Sequence, residues 1–547
     1  MRIYHHQILK KARRDMMGRI EFRMGKVMVS VLALVFSTEL AAQAIGFKQS
    51  LAQYTVSERS IAKFYRAREY RSFWTGPTAQ ERARLQALIT AFADADMHGL
   101  PKARFNAEVV VSKLRAADSQ SALGQLEAEL TKAFLDYARA VRSGLLIPSE
   151  VDEEIVRKVR YSKPLDLLEE LEASAPQAFF KSLPPQSRQY MGLVKEKLRL
   201  ERQVAAGGWG RPVRATDLKP GEQGAQVVAL RHRLVAMGYL TRSYSSTYDR
   251  PLTAAVARFQ SDHGLAVTGQ ANKLTLEQVN IAASERLASV MVALERERWF
   301  NQPLGARHIS VNLTDFKAKI VDFDRVTFET NSVVGAADDD RRSPEFSDTM
   351  EYMVVNPSWY VPRSIVVGEY LPMLQEDAAS VEYLELRDDL GNVVARDGLD
   401  FTSFDEDTFP FGMRQPPSPG NALGLVKFMF PNRHNIYLHD TPAKNLFGRE
   451  VRAFSHGCIR LADPFDFAYA LLAAQSDTPK AVFQEALDSG EEVQIDLARR
   501  IPVHIMYRTA LARPDGGLEF RADVYGRDAK IWQALQREGV VMDEITG

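Results

Sequence analysis

Ile436-Tyr-Leu-His-Asp-Thr-Pro442 and Phe454-Ser-His-Gly-Cys-Ile-Arg460 are the two runs that decide how the C-terminal half of this chain is read. The first alternates as a strand does, with Ile436 and Leu438 on one face and Tyr437 and His439 on the other. The second holds the chain's one cysteine, Cys458, 19 positions after His439. The loop from Thr441 to Phe454 is long enough to turn the chain back and set the thiol beside the imidazole. Asp463-Pro464 reads as an N-cap and first helical residue, so Cys458 lies in a short segment braced by strand and helix. A thiol is a weak nucleophile at its free pKa, and a neighbouring imidazole can take its proton. Gly457 frees the backbone to aim N–H groups at a developing oxyanion.

Outward from these runs the pattern is that of short strands. His308–Leu313, Ala318–Phe323, Thr327–Val334, Met350–Val355, Leu425–Phe430 and Asn435–His439 alternate apolar and polar residues between turn signals, as in a sandwich or barrel-like β domain. An insertion at about 366–413, helical from Gly368 to Asp377 and acidic afterwards, precedes the last strands as a candidate lid. Glu285–Phe300 reads as a linking helix. Residues 216–281 form a compact three-helix pattern, with Val227, Leu230 and Leu234 inward on the first helix, Val256 and Phe259 on the second, and Leu265, Val267 and Gly269 closing the unit. Gly207-Gly-Trp-Gly210 reads as a linker, and 45–206 carries apolar residues at helical three- and four-residue steps without a catalytic constellation.

Composition limits the alternatives. Hydrophobic residues make up 45% and charged residues 26%, as in ordinary globular protein, and 547 residues allow about three or four domains. Formal charge is zero, from 70 basic and 70 acidic residues, so nothing general points to nucleic acid. Arg19, Arg23 and Lys26 precede the apolar run Val27–Phe36, and Ala42-Gln-Ala44 fits a small-residue cleavage site; residues 1–44 are therefore expected to be an export signal. Its removal takes eight Lys+Arg and three Asp+Glu, leaving 62 against 67 and a net charge of −5. A lone cysteine in an exported chain cannot form an internal disulfide, and is either an inert buried residue or a reactive thiol.

The combination His439…Ser455-His456-Gly457-Cys458 resembles the signature of the L,D-transpeptidases, with the YkuD-type catalytic fold. Val354-Val-Asn-Pro-Ser-Trp-Tyr-Val-Pro-Arg-Ser-Ile365 and Arg414–Phe428 resemble the large multidomain periplasmic branch of that family, and Gly221, Gly224, Gly238, Tyr239, Phe259, Gln260, Gly264 and Gly269 resemble a small peptidoglycan-binding module. The resemblance implies a multidomain α+β protein. A signal peptide (1–44), a helical scaffold domain (45–206), a peptidoglycan-binding-like module (216–281) and a linking helix (285–300) would precede a mainly β catalytic domain (306–505). That domain would carry a capping insertion, and 506–547 would be a C-terminal extension. It implies a periplasmic enzyme without a cofactor, whose partners are peptidoglycan stem peptides and glycan, and which touches the membrane only through its export signal. The acceptor could also be a wall lipoprotein or an outer-membrane protein. Carbapenem β-lactams acylate this family.

On matching positions the resemblance makes Cys458 the nucleophile and His439 the general base, oriented by the backbone carbonyl of Asp440. Gly457 and Cys458 N–H groups would form the oxyanion hole with the Tyr437 hydroxyl. His456 is a second candidate for the base, and Ser455, Arg460, Trp359, Arg414, Asn421 and Lys427 are candidates for substrate binding. Three other readings compete. His439, Asp440, His456 and Cys458 could ligate zinc by type, but the spacing fits no common zinc framework. Water could resolve the same thioester, making a carboxypeptidase or endopeptidase. The chain could also be a non-catalytic wall-binding protein.

Overall fold

The computed structural model describes residues 45–338 and 340–542, so the expected export signal lies outside the described residues. The chain forms two compact units: one runs to Arg142 and adds Tyr161–Pro184, and the other combines Ser143–Arg160 with everything from Pro185 onward.

The first unit is helical. Its helices include Arg59–Ala67, Ala79–Ala93, Ala107–Ala116, Pro164–Ala173 and Pro176–Ser182, and it holds most of Gln120–Ser143. Thr78 and Glu81 form a reciprocal capping box that starts the second of these. At the centre Glu127 is fully buried, and its carboxylate accepts from the Tyr65 hydroxyl at 2.8 Å, the Trp74 N–H at 3.0 Å and the Thr75 hydroxyl at 2.8 Å. A buried carboxylate is tolerated only when its lone pairs are filled this way.

In the second unit, helices Arg188–Ala205 and Ala283–Trp299 pack together. Between them in sequence, helices Ala225–Ala236, Arg250–Asp262 and Lys273–Asn280 close around Leu230, Leu234, Val256 and Phe259. Val267, expected inside this module, is 62% exposed. The Gln260 side chain explains the departure: it accepts from the Gly269 N–H at 2.9 Å and donates to the Gln270 carbonyl at 2.8 Å, so a polar anchor rather than an apolar one holds the loop.

The β region that follows is built from β1 (Arg307–Asn312), β2 (Lys317–Asp322), β3 (Arg325–Gly335), β4 (Ser347–Val355), β5 (Trp359–Tyr360), β6 (Glu385–Arg387), β7 (Val393–Val394), β8 (Gly412–Gln415), β9 (Val426–Met429), β10 (Leu438–His439), β11 (Ala453–Ser455), β12 (Ile459–Leu461) and β13 (Val493–Met506). Nine of these pair in the order β11-β3-β12-β10-β9-β4-β13-β1-β2, and β2 also pairs with β3, which closes the order on itself. The long strands make closure possible. β3 pairs with β2 through 325–331 and with β12 through Ser332 and Val333, and β13 likewise turns from β4 to β1. Helices Pro464–Leu472 and Pro479–Asp488 cover this core, which includes Phe428, Leu438, Ile459 and Phe467. The mixed helical and β class read from the sequence is the one observed.

The inserted segment makes a second sheet, β5-β8-β6-β7, with a core of its own around Trp359, Leu371, Leu386, Phe401 and Met413. Its helical part runs from Arg363 to Glu376 and widens to a π-turn over Val366–Tyr370, just ahead of Pro372. Proline lacks the N–H an α-turn needs, which accounts for the irregularity there.

The segment after β13 is part of the fold. Arg527 is fully buried, lies 3.4 Å from Glu345 and reaches Glu154 at 2.8 Å; Arg296 on the Ala283–Trp299 helix binds Glu345 at 2.9 Å and Asp528 at 2.8 Å. Opposite charges held this far from water stabilise only as a complete set. Replacing Glu345 by Ala leaves two guanidinium groups short of a partner and should cost about 3 kcal/mol, read as a lower urea midpoint for the second unit; an unchanged midpoint would show the cluster contributes nothing.

Candidate active site

The parallel pairing of β10 with β12 organises the site. Leu438 is aligned with Ile459 and His439 with Arg460, and the Ile459 N–H donates to the Tyr437 carbonyl at 3.0 Å. Leu438 and Ile459 point into the core, fully buried. By the two-residue period of a strand, Tyr437, His439, Cys458 and Arg460 therefore share the other face. Cys458 stands beside Tyr437 and one step diagonally from His439, about 8 Å between Cα atoms for ordinary strand spacing and rise.

The SHGC turn is shaped by its own hydroxyl. Ser455 is buried; its Oγ donates to the Cys458 carbonyl at 2.5 Å and accepts from the Gly457 N–H at 3.2 Å. Gly457 adopts φ +105°, which favours glycine, and a Cβ there would crowd the end of the Ile436 side chain at 3.1 Å. Its carbonyl accepts from Ser343 Oγ at 2.6 Å, and Ser343 Oγ in turn accepts from the Gly335 N–H at 2.9 Å. Because the Gly457 N–H is already bonded to Ser455, the expected pair of oxyanion donors is reduced, in this conformation, to the Cys458 N–H. The Asp463 side chain does not cap the following helix either; it accepts from Thr330 Oγ1 at 2.8 Å instead.

The Cys458 thiol donates to the Asn435 carbonyl at 3.5 Å, and its side chain is half-buried. Burial pushes the thiol up to about 11, against which hydrogen bonds from the Tyr437 backbone and side chain and the charge of Arg460 work only in part. Tyr437 is raised well above its ordinary value, first by burial and then by the facing sulfur, and it interacts with the Trp359 side chain. His439 is buried, and its Nδ1 donates to the Asp440 carbonyl at 2.5 Å. Burial, then the Arg460 charge, drive the imidazole down to about 3, opposed by the Asp440 and Leu423 carbonyls; Lys427 lowers it further. Both groups are thus neutral near pH 7. The thiolate expected from the sequence is replaced by a thiol and a neutral imidazole, because desolvation is the largest influence on each group.

The remaining candidates divide clearly. Asp440 has a buried carboxylate used for structure: Oδ2 accepts from the Leu425 N–H at 2.9 Å and Oδ1 from Lys444 at 2.6 Å. His456 is exposed and turned to the cap, with Nε2 2.5 Å from Glu369 Oε1, a partner on the π-turn that no sequence signal singles out. Asn421 is fully buried and holds its own loop, donating to the Gln415 and Pro416 carbonyls. Arg414 binds Glu385 at 3.0 Å and Ser358 at 2.7 Å within the cap. Trp359 joins the cap core, against which Tyr437 also packs. Lys427 is aligned with His439 from the other side, on β9, and Arg460 has no carboxylate partner among the described residues. Among the described residues no group of three or more His, Cys, Asp or Glu side chains is arranged to hold a metal, and no helix is long and apolar enough to cross a membrane.

Sheet, turn and motif together define a domain of the YkuD type. Residues 306–495 match the family model of the L,D-transpeptidase catalytic domain, residues 59–196 that of a scaffold domain, and residues 223–279 that described as "Putative peptidoglycan binding domain". The chain carries an L,D-transpeptidase catalytic domain with a scaffold domain and a peptidoglycan-binding-type module ahead of it. A curated protein of Haemophilus influenzae named "Putative L,D-transpeptidase" is 32% identical over 227 residues, which are 41% of this chain and 45% of that protein. The chain thus spans about half the length of this relative. Among solved structures, an L,D-transpeptidase from Stackebrandtia nassauensis is 16% identical, with a TM-score of 0.22 over 56% of this chain and 99% of that one. One from Xylanimonas cellulosilytica is 14% identical, with a TM-score of 0.16 over 54% and 100%. At those scores the structural likeness carries no argument.

The neutral thiol can be tested directly, because Cys458 is the chain's one cysteine. With the thiol at about 11 rather than 9.0, thiolate at pH 7 is about 100-fold scarcer than for a free cysteine. Iodoacetamide labelling should be correspondingly slow and should climb about tenfold per pH unit from 7 to 10. A rate that levels off below pH 8 would contradict the structure.

Proposed function

We propose that this protein is a periplasmic L,D-transpeptidase that acylates Cys458 with a peptidoglycan tetrapeptide stem. The observation that carries the reading is the placement of Cys458 and His439 on one face of two adjacent parallel strands, within the segment that matches the catalytic-domain model. Cys458 attacks the carbonyl between the third, diamino-acid residue and the terminal D-alanine. The C–N bond breaks, D-alanine leaves as the amine, and the acyl group stays on sulfur as a thioester. A side-chain amine of a second stem then attacks the thioester, giving a link between two third residues and restoring the thiol. A wall lipoprotein or outer-membrane protein with a suitable amine is an alternative acceptor.

Physical chemistry assigns the proton steps. The neutral pair means that the thiol is ionised during attack, not before it, as general-base catalysis requires. His439 suits that role: its Nδ1–H is held by the Asp440 carbonyl, which leaves Nε2 as the basic nitrogen. The imidazolium formed returns its proton to the departing amine. Negative charge on the carbonyl oxygen is met by the Cys458 N–H, with the Tyr437 hydroxyl as the second donor. Tyr437 has its back to the cap core, so the cap supports this donor and shields the thioester from water. The peptidoglycan-binding-type module would hold the chain near its substrate by effective concentration.

Incubation of the wild type and Cys458→Ala with a disaccharide-tetrapeptide distinguishes the outcomes. Mass spectrometry should show a third-to-third dimer, released D-alanine and an acylated wild-type protein, all absent from the variant. His439→Ala should lower the acylation rate by about 100-fold or more while leaving the fold intact. Trimmed monomers without dimers would convert the reading to hydrolysis, and an unmodified wild-type protein would end it.

A further inference from the structure

The pairing of three adjacent strands sets up a row of basic side chains, two of which the chemistry above does not use. β9, β10 and β12 lie side by side, with Lys427 aligned to His439 and His439 aligned to Arg460. The residues one step back, Phe428, Leu438 and Ile459, are fully buried in the core, so the row faces the other way, toward the thiol. Two cations therefore flank one neutral imidazole.

Their circumstances differ. Lys427 has a protein acceptor, the Ser358 carbonyl at 3.4 Å, and lies in the field of Glu492. Arg460 has neither: among the described residues its guanidinium makes no ion pair or hydrogen bond, and its Nε is buried without an acceptor. Elsewhere in the same unit the buried arginines have partners, carbonyl or amide oxygens for Arg233 and Arg286 and carboxylates for the others. Arg296, Arg298 and Arg527 each hold a carboxylate within 3 Å. A half-buried guanidinium with no anion carries a desolvation penalty that a bound anion would offset, and its planar fork suits a carboxylate.

We infer that Arg460 is the receptor for the free C-terminal carboxylate of the donor peptide, an inference that rests on the transpeptidase reading above. Cys458 and Arg460 are two residues apart along one extended segment, about 7 Å. In the donor, the terminal carboxylate lies one residue, about 3.8 Å, beyond the carbonyl under attack. A peptide laid along this face with its scissile carbonyl at the sulfur therefore brings its terminus within reach of the guanidinium. The site selects the last amide bond of a chain that ends in a free acid, and it discriminates against a longer stem or an amidated end, which would leave the charge unmatched.

The test uses the full chain and two donors, a tetrapeptide stem with a free C-terminal carboxylate and the same stem with that carboxylate amidated. The rate of acyl-enzyme formation is followed by mass spectrometry. In the wild type, amidation should lower kcat/KM by about 10- to 100-fold. In Arg460→Gln the free-acid donor should fall to the level of the amidated one, so that their ratio approaches one, while Arg460→Lys restores part of the preference. Circular dichroism and the melting temperature verify that the variants are folded. If Arg460 acts only on the thiol's ionisation, Arg460→Gln lowers both donors equally and their ratio persists, which overturns the inference. Equal acylation of both donors by the wild type also overturns it while leaving the transpeptidase reading standing. Absence of any acyl-enzyme with either donor defeats that reading and this inference together.

Discussion

The parallel register between β10 and β12 is the constraint on which the site depends. It is only two residue pairs long, Leu438 with Ile459 and His439 with Arg460. It is fixed because Leu438 and Ile459 are both completely buried against Phe428 and Phe467. A slip of one residue would turn the imidazole into the core and expose the leucine, putting every side chain on the wrong face. Each buried aliphatic side chain contributes about 1.5–3 kcal/mol, so the core enforces the alignment of the polar face, where the Tyr437 and Cys458 side chains meet. The turn before β12 adds a second lock: the Ser455 hydroxyl bridges Gly457 and Cys458, and Ser343 holds the Gly457 carbonyl. The thiol is placed by apolar packing on one side and a hydroxyl clamp on the other.

That placement has an electrostatic consequence. The cap folds around its own core and rests on Tyr437, and the face that carries the thiol loses much of its water. Removing water penalises whichever form is charged. It raises a thiol and lowers an imidazole, and here it does both, toward about 11 and about 3. A preformed thiolate–imidazolium pair is therefore disfavoured at this site. The Glu369–His456 contact, at 2.5 Å, is where the cap meets the Ser455–Cys458 turn through polar atoms. The cap is thus tied to this region at one polar point and packed on Tyr437 at another, and neither contact involves the core face of β10 and β12.

Much of this was legible in the residues and some was not. The strand periodicity around His439 and the glycine before Cys458 sufficed to place a histidine strand beside a cysteine turn, since alternation and φ > 0 are local properties. The β class of the region followed from the same period. What escaped depends on partners far along the chain. Ser455 looks like a substrate contact until the Gly457 N–H is found on its hydroxyl. Asn421 looks available until its amide is found on the carbonyls of its own loop. Asp463 has the sequence of an N-cap, yet Thr330, 133 residues earlier, takes its carboxylate. Glu369 has no motif at all. The segment after residue 506 reads as an extension, but Arg527 and Asp528 close an ion cluster with Arg296 and Glu345 that no local pattern encodes.

Arg460 shows why the charge of a residue near a reacting pair need not serve that pair. Its field lowers the thiol and lowers the imidazole as well. Proton transfer from sulfur to nitrogen depends on the difference between those two values, and a cation that moves both in the same direction offsets part of its own effect on that difference. The guanidinium's effects on the two groups therefore oppose each other in that difference, while its own desolvation has no such offset. A fold that matches Arg296, Arg298 and Arg527 with carboxylates has the means to neutralise an arginine. At Arg460 no side chain of the described chain does so. The unmet charge is then best understood as addressed to a group that arrives from outside, on the same face as the thiol and two residues from it.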